Sequence, residues 1–453
     1  MRILIVIVIV LAIVATAGFV AAGRGAGPVI QIVSPEKFVG ISTPLDVVIT
    51  APAGKLAKLS IAFEQNGGST PLVSEPPSSP SSNDAQGVHV TKAINRESVP
   101  SLKSGSARIV ITVSRTALFG LRAIESTTSR DVTVRLDMPA VSVISTKHYI
   151  NLGGSEMIVY RATPEGIASG VQVGGIEYPG FPASGVAVDG VQITDPAVHV
   201  AFFALLYNQD VNAPMHLFAR DEAGNQSLAE FDHRTFPKKF KSSTIDLPDA
   251  FLDRVVPAIL AGATAIKPEG STLDKFLAIN GDLRRKNAAT IASMASKTAA
   301  GMLWRVVFHP FTNNKVEAAF ADFRTYFYKG REVDKQVHLG FDLASFANAP
   351  VLAANRGKVL YAADLGIYGN CVIMDHGMGV QSLYGHLSSI DVKPGDMVEK
   401  EQVLGRSGIT GLAGGDHLHF TMLVGGHMVN PVEWWDPHWI QDRVLRKLHE
   451  AAP

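Results

Sequence analysis

The run His417-Leu418-His419-Phe420-Thr421-Met422-Leu423-Val424 decides how the C-terminal third of this chain folds. Phe420, Thr421, Leu423 and Val424 favour a strand. On a strand, residues i and i+2 project from one face, so His417 and His419 both enter one groove, whereas a helix would splay them by about 200°. Taken alone the pair is weak, because fourteen histidines in 453 residues give roughly 0.4 HxH pairs by chance. Two further constellations supply its partners. His338-Leu339-Gly340-Phe341-Asp342 carries an imidazole and a carboxylate, with Gly340 favouring an irregular turn that brings both inward, and Tyr384-Gly385-His386-Leu387 adds another imidazole. Two imidazoles and one carboxylate are a common catalytic zinc set that leaves a position for water or a substrate carbonyl. His309, His376, His427, His438 and His449 are read as surface or hydrogen-bonded core residues. Cys371 sits in a strand pattern and is read as a small buried apolar side chain.

Lys plus Arg and Asp plus Glu each number 41, so the chain has no net charge, and no nucleic-acid partner is expected because such binding needs a basic excess. A hydrophobic content of 46% excludes wholesale disorder. A single cysteine excludes an internal disulfide framework and any Cys-rich zinc module. The length exceeds what one core organises, so several domains are expected.

The fold class read from the pattern is mainly β. Residues 1–25 are a transmembrane anchor or a signal segment: Arg2 precedes an unbroken apolar or small run over 3–22, long enough to span the inner membrane as a single-pass helix. Ala15, Thr16, Ala17, Ala21, Ala22 and Gly23 also resemble cleavage sites. Either reading exports the rest of the chain. Short alternating or β-branched runs between about 28 and 232 suggest two Ig-like β-sandwiches, over 26–139 and 140–240. Ser126 to Arg130 read as a polar turn beside a strand, and Gly224 and Asn225 favour a loop. The Pro- and Ser-rich stretch 74–84 is read as an exposed hairpin excursion. Residues 241–303 switch to helical spacing and form a connector, with Leu247, Phe251, Val255, Ile259 and Leu260 on one face, a kink at Pro257 and an N-cap at Ser271. A β pattern returns over 304–436, and 437–453 form a tail helix.

In order along 304–436 stand Gly330, His338-Leu339-Gly340-Phe341-Asp342, Ala349-Pro350-Val351, Tyr368-Gly369-Asn370, Asp375-His376-Gly377, Tyr384-Gly385-His386-Leu387, Val392-Lys393-Pro394-Gly395, Gly405-Arg406-Ser407-Gly408, Thr410-Gly411, His417-Leu418-His419 and Asn430-Pro431. This stretch resembles the M23 zinc metallopeptidases of the lysostaphin and LytM type, which cleave peptide bonds of bacterial peptidoglycan. The resemblance implies an antiparallel-β peptidase domain that binds one Zn2+ through His338, Asp342 and His419. It makes His386 and His417 catalytic without being ligands, and leaves open which of the two is the general base. The chain has no HExxH, so no glutamate is placed as general base in the manner of other zinc proteases, and a neighbouring imidazole is suited to serve zinc-activated water. Two positions depart from the family. Asp416 stands where a small or uncharged residue is common, and either orients a ligand's free nitrogen or faces solvent. Glu401 replaces a turn glycine.

The expectation is an exported zinc endopeptidase that hydrolyses peptide cross-links or stem-peptide amides of peptidoglycan, anchored in the inner membrane through residues 3–22 with its catalytic domain on the periplasmic or extracytoplasmic side. The competing readings are a non-catalytic regulator of another wall hydrolase, and a surface binding protein whose sandwiches carry the function.

Overall fold

The computed structural model describes residues 2–22, 25–51, 56–74, 88–309, 311 and 313–452, with the side chains of the first segment described from residue 6 to 21. The hairpin excursion expected over 74–84 lies outside the described residues beyond Ser74. The chain opens with helix Arg2–Ala22. Among the described residues no helix is long and apolar enough to cross a membrane, so the expected transmembrane helix is not supported.

The chain divides into two compact units, Met1–Pro139 with Arg220–Gln226, and Ala140–Ala219 with Ser227–Pro453. In the first, a three-stranded sheet (Val29–Ser34, Ser42–Thr50, Val88–Asn95) and a five-stranded sheet (Phe38–Val39, Arg122–Val134, Gly105–Ala117, Leu56–Gln65, Gly68–Val73) enclose one core. Alternation builds it: Leu45, Val47 and Ile49 of one sheet and Leu59, Ile61, Phe63, Ile109, Ile111 and Val113 of the other are buried. The supposed polar turn at Ser126 to Arg130 is instead the middle of strand Arg122–Val134, paired in unbroken register with Gly105–Ala117. Its polar residues make cross-strand contacts, Thr112 Oγ1 with Thr127 Oγ1 at 3.1 Å and Arg108 Nε with Asp131 at 2.7 Å.

The second unit is organised around an eight-stranded antiparallel sheet. Its spatial order is Lys315–Ala318, Phe341–Ala344, Leu418–Val424, Val380–Leu387, Asn370–Gly377, Gly357–Asp364 and Met397–Val398, with His427–Val429 added to Leu418–Val424. The three central strands are buried at almost every position, because both faces are covered. Val372, Met374, Tyr384, Phe420 and Met422 belong to a core shared with two four-stranded sheets of residues 140–230, whose Met157, Val200 and Phe203 are fully or almost fully buried. Cys371, Ile373, Leu383 and Leu423 point the other way, into a core completed by helices.

Those helices are Asp249–Gly262, which continues through Pro257, and Thr272–Ala278, followed through a π-type turn by Arg284–Ser293. Ser271 caps the second helix through a reciprocal box with Asp274. The buried face of the first is Leu252, Val255, Val256 and Ile259. Glu401 adopts φ of +67°, the left-handed conformation that explains a glycine at this turn in the family.

The tail is tied into the core by charge. Lys447 and Glu156 are both fully buried and paired at 2.8 Å, and Lys447 Nζ also donates to the Met157 carbonyl at 2.7 Å. Burial pushes the Lys447 ammonium down and the Glu156 carboxyl up, partly offset by their mutual attraction. Removing one partner strands a buried charge. Lys447→Met is therefore expected to cost about 3–5 kcal/mol, most of it recovered in Lys447→Met with Glu156→Gln. Chemical denaturation of both variants checks this; a double mutant no more stable than the single one would contradict it.

Candidate active site

The site grows from one strand register. Strand Phe341–Ala344 pairs antiparallel with Leu418–Val424 so that Asp342 stands opposite His419. Gly340 makes room for the meeting, since a Cβ there would lie 2.5 Å from His419 Nε2. His338 arrives from the end of strand Arg331–His338, in the neighbouring three-stranded sheet.

His338 Nε2 lies 2.9 Å from Asp342 Oδ1 and 3.0 Å from His419 Nδ1, which is itself 3.1 Å from the same carboxylate oxygen. His338 Nδ1 faces the Ala319 carbonyl at 3.3 Å. A carbonyl only accepts, so Nδ1 carries the proton and Nε2 offers its lone pair to the cluster. His419 Nε2 is buried without a hydrogen-bond partner among the described residues. Three electron-pair donors that converge at these distances repel one another unless protons or a cation lie between them. Their spacing is close to the roughly 3.3 Å edge of a tetrahedron with bonds of about 2.0 Å, so the residues fit a zinc ion.

His417 and His386 complete the groove. His417 Nε2 lies 3.4 Å from Asp342 Oδ1 while its Nδ1 faces the Gly415 carbonyl at 2.8 Å. His386 Nδ1 faces the Thr410 carbonyl at 2.8 Å, and the two imidazole rings stand 4.8 Å apart. His386 has φ of +63° where the pairing of Asn370–Gly377 with Val380–Leu387 slips between Asn370 and Val372. The bulge costs backbone energy and turns the imidazole into the groove.

Burial opposes charge on Asp342, but His338, His417 and His419 hold its carboxyl well below the usual range. Burial together with neighbouring His417 and His419 drives His386 well below an ordinary imidazole, and burial, only partly opposed by Asp342, takes His419 to about 4. His417 is also buried, yet its hydrogen bond and attraction to Asp342 raise it. The neutral imidazoles of His386 and His419 keep lone pairs available for metal or proton.

The structure thus brings together all five residues singled out in the sequence. It also adds some that the sequence reading missed. Arg324 donates to Asp342 Oδ2 at 3.1 Å and to Asp322 Oδ2 at 3.3 Å, leaving Oδ1 for the cluster. Its strand pairs with Arg331–His338, placing Arg324 opposite Gln336; a cation at matching alternation across a Tyr-rich hairpin was the available signal. Tyr368 packs on the His419 ring at 5.3 Å. Asp416 neither orients a ligand nor faces open solvent: it accepts from Ser407 Oγ at 2.5 Å and from Asn348 N at 3.0 Å, fastening the loop that carries His417. Cys371 is buried and free, its thiol pushed up by burial.

All five site residues line a cavity of about 520 Å³ whose far wall is formed by Pro248, Phe251, Phe276 and Arg284 of the helical segment.

Residues 336–431 match the family described as Peptidase family M23. A DD-carboxypeptidase/endopeptidase, Mpg, of Neisseria meningitidis serogroup B is 38% identical over 97 residues, 21% of this chain and 22% of that protein. The peptidoglycan DD-endopeptidase ShyA of Vibrio cholerae is 38% identical over 96 residues, again 21% and 22% of the two chains. The chain thus spans about a fifth of the length of these curated relatives. Among solved structures, the catalytic domain of lysostaphin from Staphylococcus simulans is 28% identical, covering 26% of this chain and 90% of that one at a TM-score of 0.23.

Partners of metal-bound groups commonly contribute 10- to 100-fold in affinity. Arg324→Leu is expected to weaken metal binding by that factor without unfolding the chain. Titration against a competing chelator measures it, and an unchanged affinity would remove Arg324 from the site.

Proposed function

We propose that this chain, whose residues 336–431 constitute a domain of peptidase family M23, is an exported zinc-dependent endopeptidase that hydrolyses peptide cross-links or stem-peptide amides of peptidoglycan. The observation that carries the reading is the cluster of His338 Nε2, Asp342 Oδ1 and His419 Nδ1 with two further imidazoles beside it. The relatives named as DD-endopeptidase and DD-carboxypeptidase/endopeptidase support the substrate class.

In this reading His338, Asp342 and His419 hold the zinc, which when bound supplies Lewis acidity toward water and a peptide carbonyl. Arg324 orients Asp342 by occupying its second oxygen. His386 donates its Nδ1 proton to the Thr410 carbonyl, which leaves Nε2 as an acceptor toward the groove, whereas His417, with Nδ1 on the Gly415 carbonyl and Nε2 facing Asp342, is drawn toward its protonated form. One takes the proton released as water attacks, and the other, once protonated, donates to the developing oxyanion or the leaving amine. Phe251, Phe276 and Tyr368 line the groove with rings. A complete set of five residues favours catalysis over a purely regulatory role.

Export is proposed from the apolar run over 3–22 and from the location of the substrate outside the inner membrane, with retention of that run as the membrane tether. N-terminal sequencing of protein from its native host is expected to find the uncleaved start. A mature chain beginning near Gly18 or Gly23 would refute the tether and leave the peptidase reading intact.

The catalytic reading separates binding from chemistry. Asp342→Ala is expected to lose stoichiometric zinc by elemental analysis. His386→Ala and His417→Ala are expected to retain it while turnover on purified peptidoglycan falls about 100-fold or more, read from released peptides by mass spectrometry. Full activity in both histidine variants would overturn the mechanism.

A further inference from the structure

We infer that Arg284 is an anchor for a free carboxylate of the bound peptide, a specificity element built into the helical wall of the groove. The inference rests on the peptidase reading for the identity of the ligand and on the geometry of the cavity wall for its location.

Arg284 lines the same cavity as His338, Asp342, His386, His417 and His419. Its guanidinium is aimed rather than loose. Nε donates to the Asn280 carbonyl at 3.0 Å and Nη2 donates to Asn280 Oδ1. Asn280 is itself fully buried and fixed by its Nδ2, which donates to Asp334 Oδ2 at 2.8 Å. Nη1 has no partner among the described residues, and no ion pair to Arg284 is present among them. The Nη1 and Nη2 edge therefore remains for a ligand, the end-on geometry in which a guanidinium receives a carboxylate through two parallel hydrogen bonds.

The other cations of the cavity are engaged. Arg324 is held by Asp322 and Asp342, and the histidines belong to the cluster. Among the carboxylates, Asp342 is in that cluster, Glu317 is paired with Lys315 at 3.0 Å, and Asp246 is exposed at the end of strand Ser242–Asp246. Among the described residues Arg284 is thus the cation left for an incoming anion in a cavity also lined by Phe251, Phe276 and Tyr326, where a charge-assisted hydrogen bond is stronger than in water.

The anchor is also fixed relative to the reacting groups. Asn287 Oδ1, one helical turn on, accepts from Ile367 N at 3.1 Å. Leu283 packs so closely on Gly366 that a Cβ there would come within 2.9 Å of Leu283 Cδ2. The turn Gly366–Tyr368 in turn lays Tyr368 on the His419 ring. A peptide whose carboxylate reaches Arg284 is therefore held in a set register along the groove. Wall peptides offer such a group in two places, at the chain terminus and on the side chain of a diamino acid that carries a second carboxylate.

The test uses the zinc-loaded full chain and three forms of one wall pentapeptide: both carboxylates free, the terminus amidated, or the side-chain carboxylate amidated. Equilibrium binding by calorimetry is measured together with cleavage by mass spectrometry. One amidated form is expected to bind about 10- to 100-fold more weakly than the free peptide, and which form it is identifies the carboxylate. Arg284→Gln is expected to erase that difference at unchanged zinc content and melting temperature, and Arg284→Lys to keep part of it. A preference that survives in Arg284→Gln, or equal binding of all three peptides by the wild-type chain, overturns the anchor. Selective binding without cleavage supports the anchor and counts against the peptidase reading, whereas cleavage without any preference does the reverse.

Discussion

Everything at this site depends on one register, the antiparallel pairing that sets Asp342 opposite His419. A slip of either strand by one residue would turn its side chain to the other face of the sheet and part the pair. The register is held by burial rather than by the polar groups themselves. Leu418, Phe420 and Met422 on one face and Leu423 on the other are fully buried, so Leu418–Val424 cannot shift without exposing apolar surface. The core thus determines where a carboxylate and two imidazoles meet, and the polar cluster is tolerated because hydrogen bonds and ion pairs satisfy most of its atoms.

Around that register the chain distributes separate tasks to separate elements. The sandwich sheets of residues 140–230 cover one face of the eight-stranded sheet, and the helices between 249 and 293 cover the other while Phe251, Phe276 and Arg284 line the groove. The helical segment is therefore part of the site's architecture. The buried pair Lys447 and Glu156 joins the last helix to the sandwich, which links the C-terminal tail to the same core.

How much of the site was legible in the sequence depends on how local each signal is. His417 and His419 could be placed on one face because a strand repeats every two residues. His338 and Asp342 are four residues apart with a permissive Gly340 between them, again a local pattern. The orientation of His386 was not legible, since it depends on a bulge and a positive φ created by the partner strand. Arg324 lies 14 residues before His338 in sequence but meets Asp342 only after the hairpin 322–338 folds back. Ser126 to Arg130 looked like a turn because its polarity was taken as a sign of a loop, whereas cross-strand pairing satisfies it. The buried Lys447 reverses the usual rule for lysine and depends on a residue almost 300 positions away.

The central claim is that His338, Asp342 and His419 form a zinc site with His386 and His417 left free for proton transfer. Anomalous diffraction at the zinc edge from crystals of the metal-loaded chain tests it most directly. One strong peak is predicted about 2.0–2.2 Å from His338 Nε2, Asp342 Oδ1 and His419 Nδ1, with no bond to His386 or His417. An absent peak, or one ligated by His417 in place of His419, would contradict it.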